Sequence, residues 1–217
     1  IYRTLLDEND FRFASLYNNM SLLYQEMNDY KKSCICLTAA LAIVKQYPEA
    51  EIEQATTHAN LAASFLELDD MEQAQVHLTE AAAIFEKDEQ KDYHYSALLT
   101  TWGDLHAKNG NLKEALLFYD RARQELESHM GQTENYATIC EKMARVLNQS
   151  NNPDAASALL EKAAQIRKNL TEHSDFSTKQ EIAKPSIING LTLSRLYYET
   201  YGKKMIHEQF PDRKSVV

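Results

Sequence analysis

The chain has 217 residues, 44% of them hydrophobic, with only 5 Gly and 4 Pro and a formal net charge of -9. That is enough to bury a substantial core, and so few Gly and Pro suit long helices joined by short turns. No apolar run approaches the roughly 18 residues that a bilayer span needs. The acidic balance, which ordinary solubility explains, argues against a nucleic-acid surface, where a concentrated basic stripe is required.

Apolar periodicity and turn signals predict helices in chain order near 13–27, 30–46, 51–68, 71–87, 92–108, 112–129, 134–149 and 153–170. Turn chemistry falls between paired helices, at Asn28-Asp29, Asp69-Asp70, Asn109-Gly110-Asn111 and Asn151-Asn152-Pro153-Asp154. Pro153 suits the first turn of the helix it opens. No stretch alternates with period two for long enough to suggest a sheet.

The paired helices repeat one pattern at an interval of 41 residues. Small residues Ser21, Ala62, Gly103 and Ala144 open it, followed by Tyr24, Phe65, His106 and Leu147. The second helix of each pair carries Ser33, Ala74, Ala115 and Ala156, then Leu37, Leu78, Tyr119 and Leu160, then Ala40, Ala81, Ala122 and Ala163. Small residues let two helices approach, and large ones fill the grooves between ridges. Because one such pair cannot bury its apolar face alone, the repetition implies a solenoid of stacked pairs.

The pattern resembles the tetratricopeptide repeat, most closely in Leu99, Trp102, Gly103, Ala115, Tyr119 and Ala122, and in Leu61, Ala62, Phe65, Ala74, Leu78 and Ala81. The family's closing Pro is missing, and 41 exceeds its usual length of about 34, as in kinesin-light-chain-like and bacterial peptide-sensor repeats. The resemblance implies an all-α, right-handed superhelix of antiparallel helix pairs. Four repeats are expected at 14–54, 55–95, 96–136 and 137–170, after the tail of an earlier copy and a linker in 1–13. Beyond them the register fails, since the next small position falls on Pro185. A polar connection at 171–186 and a capping helix near 187–201 are expected instead. Trp102 is expected in the core, its ring filling the space that Gly103 leaves.

The string GLTLSRLYYETYGKKMIHEQFPDRKSVV, residues 190–217, resembles the approach to an uncharacterised nucleotidyltransferase-like domain that follows such repeats in certain bacterial proteins. That resemblance implies a first strand beginning at Ser215, Val216 and Val217, with the catalytic residues lying beyond. Within the chain there is no His-Glu-x-x-His, no phosphate-cradling Gly-rich loop and no Gly-x-Ser-x-Gly. Its seven His are scattered, and His106, in a slot that elsewhere holds Tyr or Phe, reads as a packed, hydrogen-bonded imidazole. Cys34 and Cys36 point about 200 degrees apart on a helix and cannot chelate one ion well. With Cys140 they make an odd number of thiols, which suits packing in a cytoplasmic protein. Neither catalysis by these residues nor a cofactor or metal is expected.

Binding has more support. In superhelices of this kind the first helices line the concave groove. One column there reads Asn19, Asn60, Thr101, Lys142, and another Glu26, Glu67, Lys108, Gln149, with Asn18, Gln25 and Arg145 nearby. An Asn amide can donate to and accept from an extended backbone at once, and in kinesin-light-chain-like repeats Asn at matching positions contacts peptide. The candidate ligand-binding set is therefore Asn18, Asn19, Glu26, Asn60, Glu67, Lys108, Lys142 and Arg145. Its charges are graded, acidic in the first two repeats and basic in the last two, so an extended segment is expected to bind with its acidic part near Lys142 and Arg145. Ordinary helix ion pairs, Asp104 with Lys108 and Glu141 with Arg145, would cancel much of that charge. Asn19 and Asn60 could equally bond the neighbouring repeat. The expected partner is a protein or peptide, with neither nucleic acid nor membrane. The alternatives are a recruiting arm of a larger nucleotidyltransferase-like enzyme and an architectural or self-association unit.

Overall fold

The turns between paired helices are built from one motif used four times. Asn28, Asp69, Gly110 and Asn151 take positive φ of 57°, 58°, 76° and 56°. In each case the next residue's N–H reaches back five positions, to Tyr24, Phe65, His106 and Leu147 respectively, at 2.8–2.9 Å. This Schellman closure satisfies carbonyls left over at a helix end, and it needs a residue that tolerates the left-handed region, which is why Asn, Asp and Gly stand there. The residue after it then opens the partner helix: the Asp29 and Asp70 carboxylates accept the N–H of Lys32 and Gln73.

The computed structural model describes residues 10–87 and 93–181. They form α1 (Phe11–Glu26), α2 (Tyr30–Val44), α3 (Glu51–Glu67), α4 (Met71–Phe85), α5 (Tyr93–Lys108), α6 (Leu112–His129), α7 (Glu134–Gln149) and α8 (Pro153–Glu181). Each odd-numbered helix packs on the even-numbered one that follows it, and each pair packs on the next. The result is an all-α solenoid. Among the described residues no helix is long and apolar enough to cross a membrane.

The core follows the sequence columns. Ser21, Ala62, Ala74, Ala81, Ala115 and Ala122 are at 0% exposure, so the backbones meet with nothing larger between them. Leu37, Leu78 and Tyr119 fill the adjoining grooves, whereas Leu160, the fourth member of that column, is 45% exposed on the last pair. Two expectations need correction. The last helix does not end at 170 but continues to Glu181, because the polar stretch TEHSDFSTKQE holds neither Gly nor Pro to stop it. And it is Tyr119, not Trp102, that occupies the space beside Gly103: a Cβ there would lie 2.4 Å from Tyr119 Cε1. Of the tail and linker expected in 1–13, residues 11–13 belong to α1, while residues 1–9, the capping helix and the string 190–217 lie outside the described residues.

Candidate functional site

The odd-numbered helices lie side by side, and the polar residues along them decide what their common face offers. Between α1 and α3 the contacts are neutral. Asn18 Nδ2 donates to Thr57 Oγ1 at 3.0 Å, and Gln25 Nε2 donates to Ser64 Oγ at 2.9 Å. Ser64 in turn lies 2.9 Å from Ser33 Oγ of α2. The Asn18 amide is thus spent on holding the helices together. The bonds between repeats that Asn19 or Asn60 could have made are made by Asn18 and Gln25. Asn19 is exposed and Asn60 half-buried, and neither side-chain amide has a hydrogen bond among the described residues. Glu26 is exposed at the end of α1.

Further along, the contacts become charged. Lys108 Nζ donates at 2.6 Å to the Leu66 carbonyl at the end of α3 and at 2.8 Å to Asp69. A cation there complements the negative helix terminus. Lys142 Nζ of α7 donates to both Asp104 oxygens of α5 at 2.7 Å. The Tyr119 hydroxyl donates to Asp104 at 2.7 Å, and burial together with that carboxylate raises its pKa. Neither expected helix pair forms. Asp104 is taken by Lys142 and Tyr119 instead of Lys108, and Glu141 by Arg167 of α8 instead of Arg145. The physical reason is reach: a neighbouring helix presents its cation closer than a solvated residue one turn along.

These residues surround an open depression of about 400 Å³ across α3, α5 and α7, lined by Glu67, Lys108, Lys142 and Arg145 among others. Half of the candidate set is therefore brought to one place, while Asn18, Asn19, Glu26 and Asn60 lie outside it. Two of the four retain an uncommitted charge. Glu67 and Arg145 are exposed and form no ion pair among the described residues. The candidate set missed Asp104 and Tyr119, which anchor this site, as well as Ala107, Val146 and Gln149 on its walls. The coincidence of Gly103 with a Tyr in place of Leu sixteen positions on was the available signal, since a missing side chain on one helix admits a longer one from the other.

Away from this depression, the aromatic rings and thiols among the described residues are packed. Trp102, His106 and Phe118 stack, with His106 and Phe118 centroids 5.1 Å apart and 13° from parallel. His106 Nδ1 is buried with no hydrogen-bond partner, unlike the bonded imidazole expected. His77 stacks on Phe65 at 5.5 Å, and its Nδ1 lies 2.8 Å from Nδ1 of His58. One ring must donate and the other accept, and burial pushes the His58 pKa down to about 4, so the pair is neutral near pH 7. Burial pushes the thiols the other way, Cys34 up to about 11 and Cys36 to about 12. Protonated and packed, they are not nucleophiles.

Comparison with known proteins addresses the same architecture. Tetratricopeptide-repeat family models match residues 12–87 and 137–175. No curated protein matches the chain. Among solved structures, BtubC (BKLC) from P. vanneervenii is 21% identical with a TM-score of 0.59, over 73% of this chain and 64% of that one. The Rap conjugation gene regulator of plasmid pLS20, in complex with the Phr* peptide, is 16% identical with a TM-score of 0.67, over 94% and 56%. PilF of Pseudomonas aeruginosa is 16% identical with a TM-score of 0.55, over 95% of both chains. The chain thus spans less than two thirds of the first two, and the likeness to all three is one of fold.

Proposed function

From a chain built of tetratricopeptide repeats, we infer a protein- or peptide-recognition module whose concave groove, formed by α1, α3, α5 and α7, holds an extended segment. The observation that carries this reading is the open depression in which Glu67 and Arg145 stand exposed with no ion pair among the described residues, while Lys108 and Lys142 are already tied to the fold. A surface that has satisfied most of its charges internally and leaves two free has something to offer a ligand. The unengaged amides of Asn19 and Asn60 extend the groove towards the first repeat. The Rap regulator, a fold relative, is seen with a peptide bound.

The polarity of the segment follows from the free groups, with its acidic part at Arg145, beside the committed Lys142, and its basic part towards Glu67 and Glu26. Peptides of both polarities, immobilised as an array, test this. Binding is expected to favour one charge order and to weaken on Asn19→Ala with Asn60→Ala at unchanged melting temperature. Equal binding of both orders would overturn the polarity, and loss of stability in the double variant would assign the amides to the scaffold.

Two wider readings rest on sequence alone. If a nucleotidyltransferase-like domain follows residue 217, this groove is its recruiting arm. The three free thiols support a cytoplasmic setting.

A further inference from the structure

The furrow between α5 and α7 holds a second depression, of about 210 Å³, beside the charged one. Its composition looks polar, with Ser96, Thr100, Thr101 and Thr138 on its walls. Every one of those hydroxyls is already engaged. Thr100 Oγ1 donates to the Ser96 carbonyl at 2.9 Å, Thr101 to Ala97 at 2.9 Å, Thr138 to Glu134 at 3.1 Å, and Ser96 to Ala122 of α6 at 2.8 Å. A threonine whose hydroxyl folds back on its own helix turns its methyl group outward. With Ala97, Leu126 and Ile139 the walls therefore present mostly methyl groups, and the exposed Asn135 amide stands at the rim with no hydrogen bond among the described residues.

Both depressions share the walls α5 and α7, so their spacing follows from helix geometry. Thr138 lines the apolar one and Arg145 the charged one, seven residues further along α7 (145 − 138). At 1.5 Å per residue that is about 10 Å, the span of three or four residues of extended chain at about 3.3 Å each. Charge complementarity sets the second anchor, because Lys142 and Lys108 are committed to Asp104 and Asp69 while Arg145 is free. Glu67, on α3 at the opposite wall, would repel a carboxylate placed on its own side and so directs it to Arg145.

We propose that the segment this groove recognises carries a branched aliphatic residue three or four positions from an acidic one, the aliphatic side chain seated between Ala97, Thr101, Thr138 and Ile139 and the carboxylate paired with Arg145. Between these two anchors the segment runs along the α5–α7 furrow, with Asn135 bonding its backbone beside the aliphatic residue. This specificity rests on the peptide-groove reading.

The test is an array of peptides on a Gly-Ser background carrying Leu and Glu at successive separations, probed with the intact chain. Binding is expected to peak at three or four positions. Ala97→Leu, which fills the apolar depression from an exposed helix position, is expected to weaken the best peptide about tenfold while leaving the dependence on Glu. Arg145→Glu is expected to abolish the dependence on Glu and keep the dependence on Leu. Melting temperatures of both variants report that the fold is intact. Binding with no preferred separation, or unchanged by Ala97→Leu, would overturn the specificity and leave the groove reading standing. Binding of no peptide in this array or in the charge-order array would remove both.

Discussion

The α1–α3 seam and the α5–α7 seam occupy equivalent places in the solenoid but are closed by different chemistry. The first uses neutral amides and hydroxyls, Asn18 with Thr57 and Gln25 with Ser64. The second uses a buried phenol, a carboxylate and an ammonium, Tyr119, Asp104 and Lys142 in series. Neutral hydrogen bonds are indifferent to ionic strength, whereas a partly exposed ion pair is screened. One fold thus joins its repeats in two ways, and the charged way also leaves Arg145 free beside it. The half of the molecule that carries the open charged site is the half whose seams depend on charge.

The largest expected effect tests the space that makes the charged seam possible. Gly103→Ala would ordinarily favour a helix by roughly 1 kcal/mol, but here its Cβ would fall 2.4 Å from the Tyr119 ring. We expect a loss of about 3 kcal/mol in urea unfolding, and that pairing it with Tyr119→Leu, the residue found at 37 and 78, restores much of it. A stable Gly103→Ala single variant would show that Tyr119 can leave Asp104 at little cost.

Acid reaches the second pair by another route. His58 titrates at about 4 in the fold and near 6.5 in the free state, and burial also lowers His77. Below pH 6.5 the unfolded chain takes up protons that the folded one refuses, so these residues stabilise the fold fully above that pH and progressively less towards pH 4. The groups facing the pair are Lys45, which adds to the depression, and Glu80, which opposes it at His77. The melting temperature is expected to fall through this window, and to fall less in His77→Phe, which copies Phe118 of the third pair.

Smaller effects separate the seams directly. Lys142→Ala and Asn18→Ala should each cost about 1 kcal/mol. Added salt should shrink the first difference and leave the second unchanged, and equal salt dependence would erase the contrast. The smallest effect is the stability change of Arg145→Ala, within about 0.5 kcal/mol, because that side chain is exposed and holds nothing in place.

The helices were legible in the sequence because their signals are local. The second helices begin at Tyr30, Met71, Leu112 and Pro153, where the turn residues place them. The pairing of Gly103 with Tyr119 was also visible, as two departures from one column set, though the ring was assigned to Trp102. The candidate site was less legible. Asn18 looked like a ligand contact and serves the α1–α3 seam, while Asp104 and Tyr119 were not in the set at all. Thr100, Thr101 and Thr138 show the same limit, since their identity suggests polarity and their hydrogen bonds reverse it.

Amino-acid order alone determined the turns, the helix pairs and the columns of small and large residues, because each depends on neighbours within a turn or two along the chain. Which charges cancel and which stay free was decided only when the helices were stacked. Lys108 could have met Asp104 one turn away, and Glu141 could have met Arg145. Instead, Lys108 reached Asp69, Asp104 took Lys142 and Glu141 took Arg167. Long side chains choose partners by distance in space, and that distance is set by packing between helices that sequence spacing cannot measure.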